Sequence, residues 1–213
     1  MPVEAGQPAP DFTLPSSAGG ELTLSSFRGR NIVVLYFYPK DNTSGCTREA
    51  CAFRDARDEL AQLGAVVIGV SPDSLKSHDK FIRNHNLNFP LLADEEKQVC
   101  EAYGVWVQKS MYGRKYMGVE RSTFIIDREG RIARAWRKVS VAGHDDEVIA
   151  AVRELTPARS RRAGLVPTVG MAWSQFLRHT GRDARGSPVV ERSDTTGPPA
   201  TPNARIPAGM PGR

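Results

Sequence analysis

IVVLYFY (32–38), PKDNTSGC (39–46) and TREAC (47–51) form one continuous stretch whose reading decides the fold. The first block is an unbroken apolar run, the mark of a strand buried on both faces. The second is a turn rich in Pro, Asn, Thr, Ser and Gly. The third opens a helical pattern. Cys46 therefore stands where a buried strand has ended and a helix begins, with a second thiol, Cys51, five residues on. Thiolate is the reactive form of cysteine, and a helix N-terminus beside cationic side chains favours it. Position alone points to an activated nucleophile.

Working outward, Phe12–Leu14 and Leu22–Leu24 flank a Ser/Gly turn and predict an opening hairpin. The helix that starts at Cys46 runs to Leu63, with Cys51, Ala52, Asp55, Glu59, Leu60 and Leu63 as a mixed amphipathic face and Gly64 as the stop. Ala65–Val70 is the next buried strand. Leu75–His85 is a helix capped by Ser74, with Phe81 and Ile82 turned inward. Pro90–Ala93 predicts a short strand, Glu95–Tyr103 a short helix, and Asp145–Leu155 the last helix. Tyr116–Asp127 and Arg131–Lys138 read as a hairpin across Arg128-Glu129-Gly130. Alternating strands and helices with a late hairpin make an α/β architecture with a mixed central sheet flanked by helices.

The chain changes character after Thr156. Residues 157–213 hold nine arginines and no lysine against three acidic residues, whereas residues 1–156 hold 20 basic and 21 acidic ones. The net charge of +5 therefore belongs to the last segment, and the rest is close to neutral. Eight of the 15 prolines and seven of the 19 glycines also fall there, and only 166–177 has a weak helical pattern. We divide the chain into a domain at 1–156 and a basic Pro/Gly/Arg-rich tail at 157–213, expected to be disordered because it buries too little to offset its ordering entropy. Three cysteines are too few for a disulfide scaffold. No N-terminal signal pattern and no apolar run of roughly 18 residues is present, so a soluble, cytoplasmic protein is expected.

The resemblance rests on several separate blocks. Pro39, Thr43 and Cys46 occupy the P-x-x-x-T-x-x-C pattern of the peroxiredoxins, and YFYPKDNTSGCTREACAFRD resembles the peroxiredoxin Q (bacterioferritin-comigratory) subfamily. GQPAPDFTL near the N-terminus, GVSPDS at 69–74 and ERSTFIIDREG at 120–130 follow in the same order, so the likeness runs from about Gly6 to about Leu155. It implies a thioredoxin-like fold with an N-terminal extension. It also implies a thiol peroxidase in which Cys46 attacks a hydroperoxide and becomes a sulfenic acid. Cys51 then condenses with it to an intrachain disulfide, which thioredoxin or a similar dithiol reduces.

The same resemblance assigns companions to Cys46. Thr43 hydrogen-bonds beside the sulfur and the peroxide oxygen, and Pro39 shapes and shields the turn. Arg121 supplies a fixed cation for the thiolate and the leaving oxygen. Glu49 either orients this network or is a solvated helix charge. Cys100 reads as core packing. The four histidines show no ligand spacing, so no metal or other cofactor is expected. An intrachain thiol pair needs no partner subunit, and the subfamily resemblance implies a monomer or weak homodimer.

Two other readings stand against this one. A thioredoxin-like disulfide reductase typically uses C-x-x-C and lacks the Thr43/Arg121 pair. The tail's arginines could bind nucleic acid or an anionic surface, but a solvated extension is the simpler reading, and neither nucleic acid nor membrane is expected as a partner. The five-residue spacing has a mechanical consequence for the implied disulfide. On a regular helix such residues diverge by about 140° with Cα atoms roughly 8–9 Å apart, whereas a disulfide needs less than about 7 Å. The helix must open for the bond to form.

Overall fold

The computed structural model describes residues 3–111 and 113–156. The tail expected at 157–213, with its weak helical pattern, lies outside the described residues. The elements in order are β1 (Thr13–Pro15), β2 (Glu21–Thr23), a 3-10 turn (Leu24–Phe27), β3 (Ile32–Phe37), α1 (Ser44–Gln62), β4 (Ala65–Ser71), α2 (Leu75–His85) and β5 (Leu91–Ala93). They continue with α3 (Gln98–Ala102), β6 (Trp106–Met111), β7 (Arg114–Val119), β8 (Ser122–Ile126), β9 (Ile132–Arg137) and α4 (His144–Leu155).

The central sheet has five strands in the order β5-β4-β3-β8-β9. β3 pairs parallel with β4 and antiparallel with β8, so the sheet is mixed, as expected. β3 is central and buried along its whole length. Its period of two sends Ile32, Val34 and Tyr36 to the layer of α1, α2 and α4, and Val33, Leu35 and Phe37 to the layer containing Val99, Cys100 and Tyr103. Two hydrophobic cores on one strand explain why no polar residue interrupts 32–38.

The structure departs from the sequence reading in two places that matter. Tyr116–Asp127 is not one strand. Its first part, within β7, pairs antiparallel with β6 in a separate two-stranded sheet, and only β8 joins the central sheet. The polar run Gln108-Lys109-Ser110 suits a hairpin that is exposed for much of its length, and it hides the strand pattern from sequence. Arg121 lies in the break between β7 and β8 rather than inside one continuous strand. The second departure concerns α1. Its buried stripe is Cys46, Glu49, Ala50, Phe53, Ala56 and Leu60, rotated from the face read in sequence. Spacings of three and four along that stripe are the helical signature, but Glu49 disguised it as polar.

Candidate active site

The site forms at the carboxyl end of β3, where the chain leaves the sheet through 38–43 and enters α1, a recurrent location for ligand sites in open α/β sheets. Thr43 is the N-cap residue of α1 but makes no side-chain cap hydrogen bond, and the first turn holds no acidic side chain. Cys46 is the third residue of the helix. It is 1% exposed, although its neighbours Thr43 and Ser44 are exposed. The start of α1 is thus held by its own backbone, with Thr47 N donating to Thr43 O at 2.8 Å.

Arg121 reaches this sulfur from 75 positions away. Phe37 pairs with Ser122 in the sheet, which sets Arg121 just beyond the end of β3. Its carbonyl accepts Val139 N at 3.0 Å. One guanidinium nitrogen, Nη2, donates to Cys46 Sγ at 3.2 Å, and Nη1 pairs with Glu49 Oε2. A Cβ on Gly45 would stand 3.2 Å from the same Nη2. The missing side chain of Gly45 is therefore what lets the cation lie against the first turn.

Glu49 is 2% exposed and paired, so of its two sequence readings the solvated one is excluded. Burial raises its carboxyl to about 7, and the charge and hydrogen bond of Arg121 only partly oppose the rise. Glu49 Oε1 has no hydrogen-bond partner among the described residues. Arg121 shows the converse balance. Burial pulls its guanidinium down, but Glu49 and Cys46 outweigh this and raise it, so the cation is permanent.

The remaining expected residues are placed differently. Thr43 Oγ1 donates to the carbonyl of Lys40 at 3.1 Å and makes no hydrogen bond to Cys46 here. Pro39 is half-buried at the exit of β3. Cys51 is half-buried on α1, off the stripe that carries Cys46, and all three cysteines are free thiols. With Cys46 and Cys51 on one continuous helix, the chain is in its reduced, helical form. Cys100 is fully buried in the opposite core layer, as the packing reading expected.

Three features escaped the sequence reading. Lys109 on β6 is half-buried, donates to Val119 O at 2.6 Å and interacts electrostatically with Cys46 and Arg121; burial pulls its ammonium down. Tyr36 directs a buried hydroxyl without a partner among the described residues, and burial, followed by Glu49 and Cys46, keeps the phenol neutral. Asp41 and His78 form a buried pair behind the turn. Only the last had a sequence signal, since His78 lies one helical turn before the inward Phe81.

Comparison with known proteins agrees with this geometry. The profile of the AhpC/TSA family matches residues 5–135. A putative peroxiredoxin Bcp of Coxiella burnetii is 52% identical over 149 residues, 70% of this chain and 98% of that protein. Peroxiredoxin Bcp of Bacillus subtilis is 51% identical over 156 residues, 73% of this chain and 99% of that protein. Among solved structures, peroxiredoxin Q of Xanthomonas campestris superposes with a TM-score of 0.68 at 42% identity, covering 73% of this chain and 100% of that one. A structure of the bacterioferritin comigratory protein of the same species, reported for its alkyl peroxide reduction activity, matches with a TM-score of 0.68 at 42% identity over 72% of this chain and 100% of that one. With a buried thiol at a helix start under a permanent cation, and with relatives matched over almost their whole length by about seven-tenths of it, the chain belongs to the AhpC/TSA family, and the protein is a thiol peroxidase of the Bcp/peroxiredoxin Q type.

Proposed function

We propose that this enzyme reduces hydrogen peroxide and organic hydroperoxides through Cys46 and Cys51, with thioredoxin or a similar dithiol as the cytoplasmic reductant. The sulfur of Cys46 attacks the terminal peroxide oxygen. The O–O bond breaks, the leaving oxygen takes a proton to depart as water or alcohol, and Cys46 is left as sulfenic acid. The Cys51 thiol then displaces water from that sulfenic acid and forms the disulfide. A dithiol reduces the disulfide by exchange and is itself oxidised.

The observation that carries this reading is the Arg121 Nη2 contact to Cys46 Sγ at 3.2 Å. A fixed cation at that distance attracts the negative charge of a thiolate before attack and meets the charge that grows on the leaving oxygen. Pro39 bounds the turn, and Thr43, exposed at the helix start, is free to turn its hydroxyl toward a bound peroxide. Glu49 holds the other edge of the guanidinium and orients it. Cys51 reaches Cys46 only after the first turns of α1 unwind. The uncapped helix start and Gly45 ease this step, since glycine in a helix costs about 0.5–1 kcal/mol relative to alanine. Arg54 limits it downstream, because its Nη1 donates to the His85 carbonyl at 2.7 Å and its own carbonyl accepts Asn88 Nδ2 at 3.2 Å.

A coupled assay tests the reading. Peroxide-dependent NADPH oxidation through thioredoxin and its reductase is expected for the wild type. Cys51→Ser should complete one turnover with peroxide, fail to cycle with thioredoxin, and accumulate sulfinic acid at Cys46. Full steady-state activity in Cys51→Ser would move the resolving role elsewhere.

A further inference from the structure

The turn that presents Cys46 is fastened from behind by a buried Asp–His pair that the chemistry above does not use. Asp41, inside the turn, and His78, on α2, are 5% and 0% exposed. His78 Nδ1 lies 2.9 Å from Asp41 Oδ2, and Tyr38 Oη donates to Asp41 Oδ1 at 2.7 Å. The other ring nitrogen, His78 Nε2, lies 3.1 Å from the carbonyl of Leu92 on β5. Both nitrogens thus face acceptors, and both contacts are hydrogen bonds when the ring carries two protons. The backbone NH of Asp41 is also held, donating to Asp73 Oδ2 at 2.8 Å, and Asp73 in turn accepts Ser71 Oγ. Burial pulls the Asp41 carboxyl up, but the interaction with His78 first, and then those with Ser77 and Tyr38, outweigh it and hold it below the usual carboxylate range.

Asp41 is therefore fixed to Tyr38 just past β3, to the end of β4, to α2 and, through His78, to β5. The next residue, Asn42, has a left-handed φ of 58°, and Thr43 beyond it opens a helix that no side chain caps. Rigid and labile backbone meet at Asn42. We propose that His78, acting through Asp41, is a positioning residue for Cys46. The pair pins the upstream end of the turn, seating the thiol under Arg121 for peroxide attack and restraining the unwinding that delivers it to Cys51. This inference rests on the two-cysteine cycle proposed above and adds a determinant of how the enzyme divides its time between the two steps.

Loosening the pin has opposite consequences for those steps. Peroxide attack needs Cys46 in register with Arg121, and small misplacements of reacting groups are costly. Disulfide formation needs Cys46 to leave that register, so a freer turn hastens it. Damage to the fold at large would not separate the two in this way.

The test is Asp41→Ala combined with His78→Leu, which removes both members of the pair together and leaves neither buried alone. Circular dichroism and thermal unfolding establish that the variant is folded. Rapid-quench mass spectrometry with hydrogen peroxide then follows Cys46 oxidation and the appearance of the Cys46–Cys51 bond. The second rate is read at peroxide concentrations where oxidation outruns condensation. The expected result is Cys46 oxidation slower by about tenfold and disulfide formation faster by several-fold. Should the double variant fail to fold, the isosteric Asp41→Asn carries the same test, with the same two signs and smaller changes. Both rates within twofold of wild type, or both falling together, overturn the proposal. Absence of any Cys46 oxidation in the wild type would instead overturn the peroxidase reading beneath it.

Discussion

Cys46 and Cys100 are both buried cysteines, 1% and 0% exposed, each the third residue of a helix, yet their surroundings are opposite in sign. Cys46 faces the guanidinium of Arg121. Cys100 sits over Asp94, whose carboxylate accepts the Cys100 NH at 2.8 Å and that of Val99 at 3.3 Å. Burial first, and then Asp94, push the Cys100 thiol up and keep it protonated. The proposed roles follow the sign of the nearest fixed charge: beside a cation, buried sulfur can serve as a nucleophile, and beside a carboxylate it stays a small hydrophobe.

The largest expected break in this comparison comes from deleting each sulfur. Cys46→Ser should abolish peroxide reduction, whereas Cys100→Ala should keep the rate within about twofold and cost about 1 kcal/mol of stability. Peroxide consumption and denaturant unfolding measure the two. Removing only the charge comes next. Arg121→Ala should slow the oxidation of Cys46 by about 10²–10³-fold in single-turnover kinetics with the fold retained, and Arg121→Lys should recover part of the loss, since it restores charge without the fork.

Glu49 gives a smaller effect with a defined sign. Its carboxyl rises from an ordinary 4.5 to about 7 in the folded protein. The folded state therefore binds more protons than the opened one across that window, so the start of α1 loses stability as pH rises from about 4.5 through about 7. Hydrogen-exchange protection of residues 44–51, corrected for intrinsic rates, should be higher at pH 5 than at pH 7.5. Glu49→Gln, which cannot titrate, should flatten that difference. The smallest change is Gly45→Ala. Its Cβ would meet Arg121 Nη2 at 3.2 Å, a displacement of tenths of an ångström. The rate of Cys46 oxidation should fall by roughly two- to fivefold while helix stability rises slightly.

The sequence made the frame of this molecule legible because its signals were local. The apolar run at 32–38, the turn chemistry at 39–45 and the helix after it stand next to one another, and the structure follows them within a residue or two. Arg121 was visible only through family resemblance, since nothing at 120–122 says that Phe37 pairs with Ser122 and brings the guanidinium to Cys46. The β6–β7 hairpin was missed because a mostly exposed two-stranded sheet lacks the apolar alternation that marks a half-buried strand. Glu49 stayed ambiguous for a related reason. A carboxylate on a buried stripe is read as polar surface until its partner, 72 positions away, is known. Asp41 and His78 show the same limit across 37 positions.

The two-cysteine cycle depends most directly on which sulfurs react. Reduced protein treated with one equivalent of hydrogen peroxide and alkylated in acid should yield, by peptide mass spectrometry, a Cys46–Cys51 bond with Cys100 recovered as a free thiol. A disulfide joining Cys46 to Cys100, or a Cys46 thiol left unmodified, would contradict it.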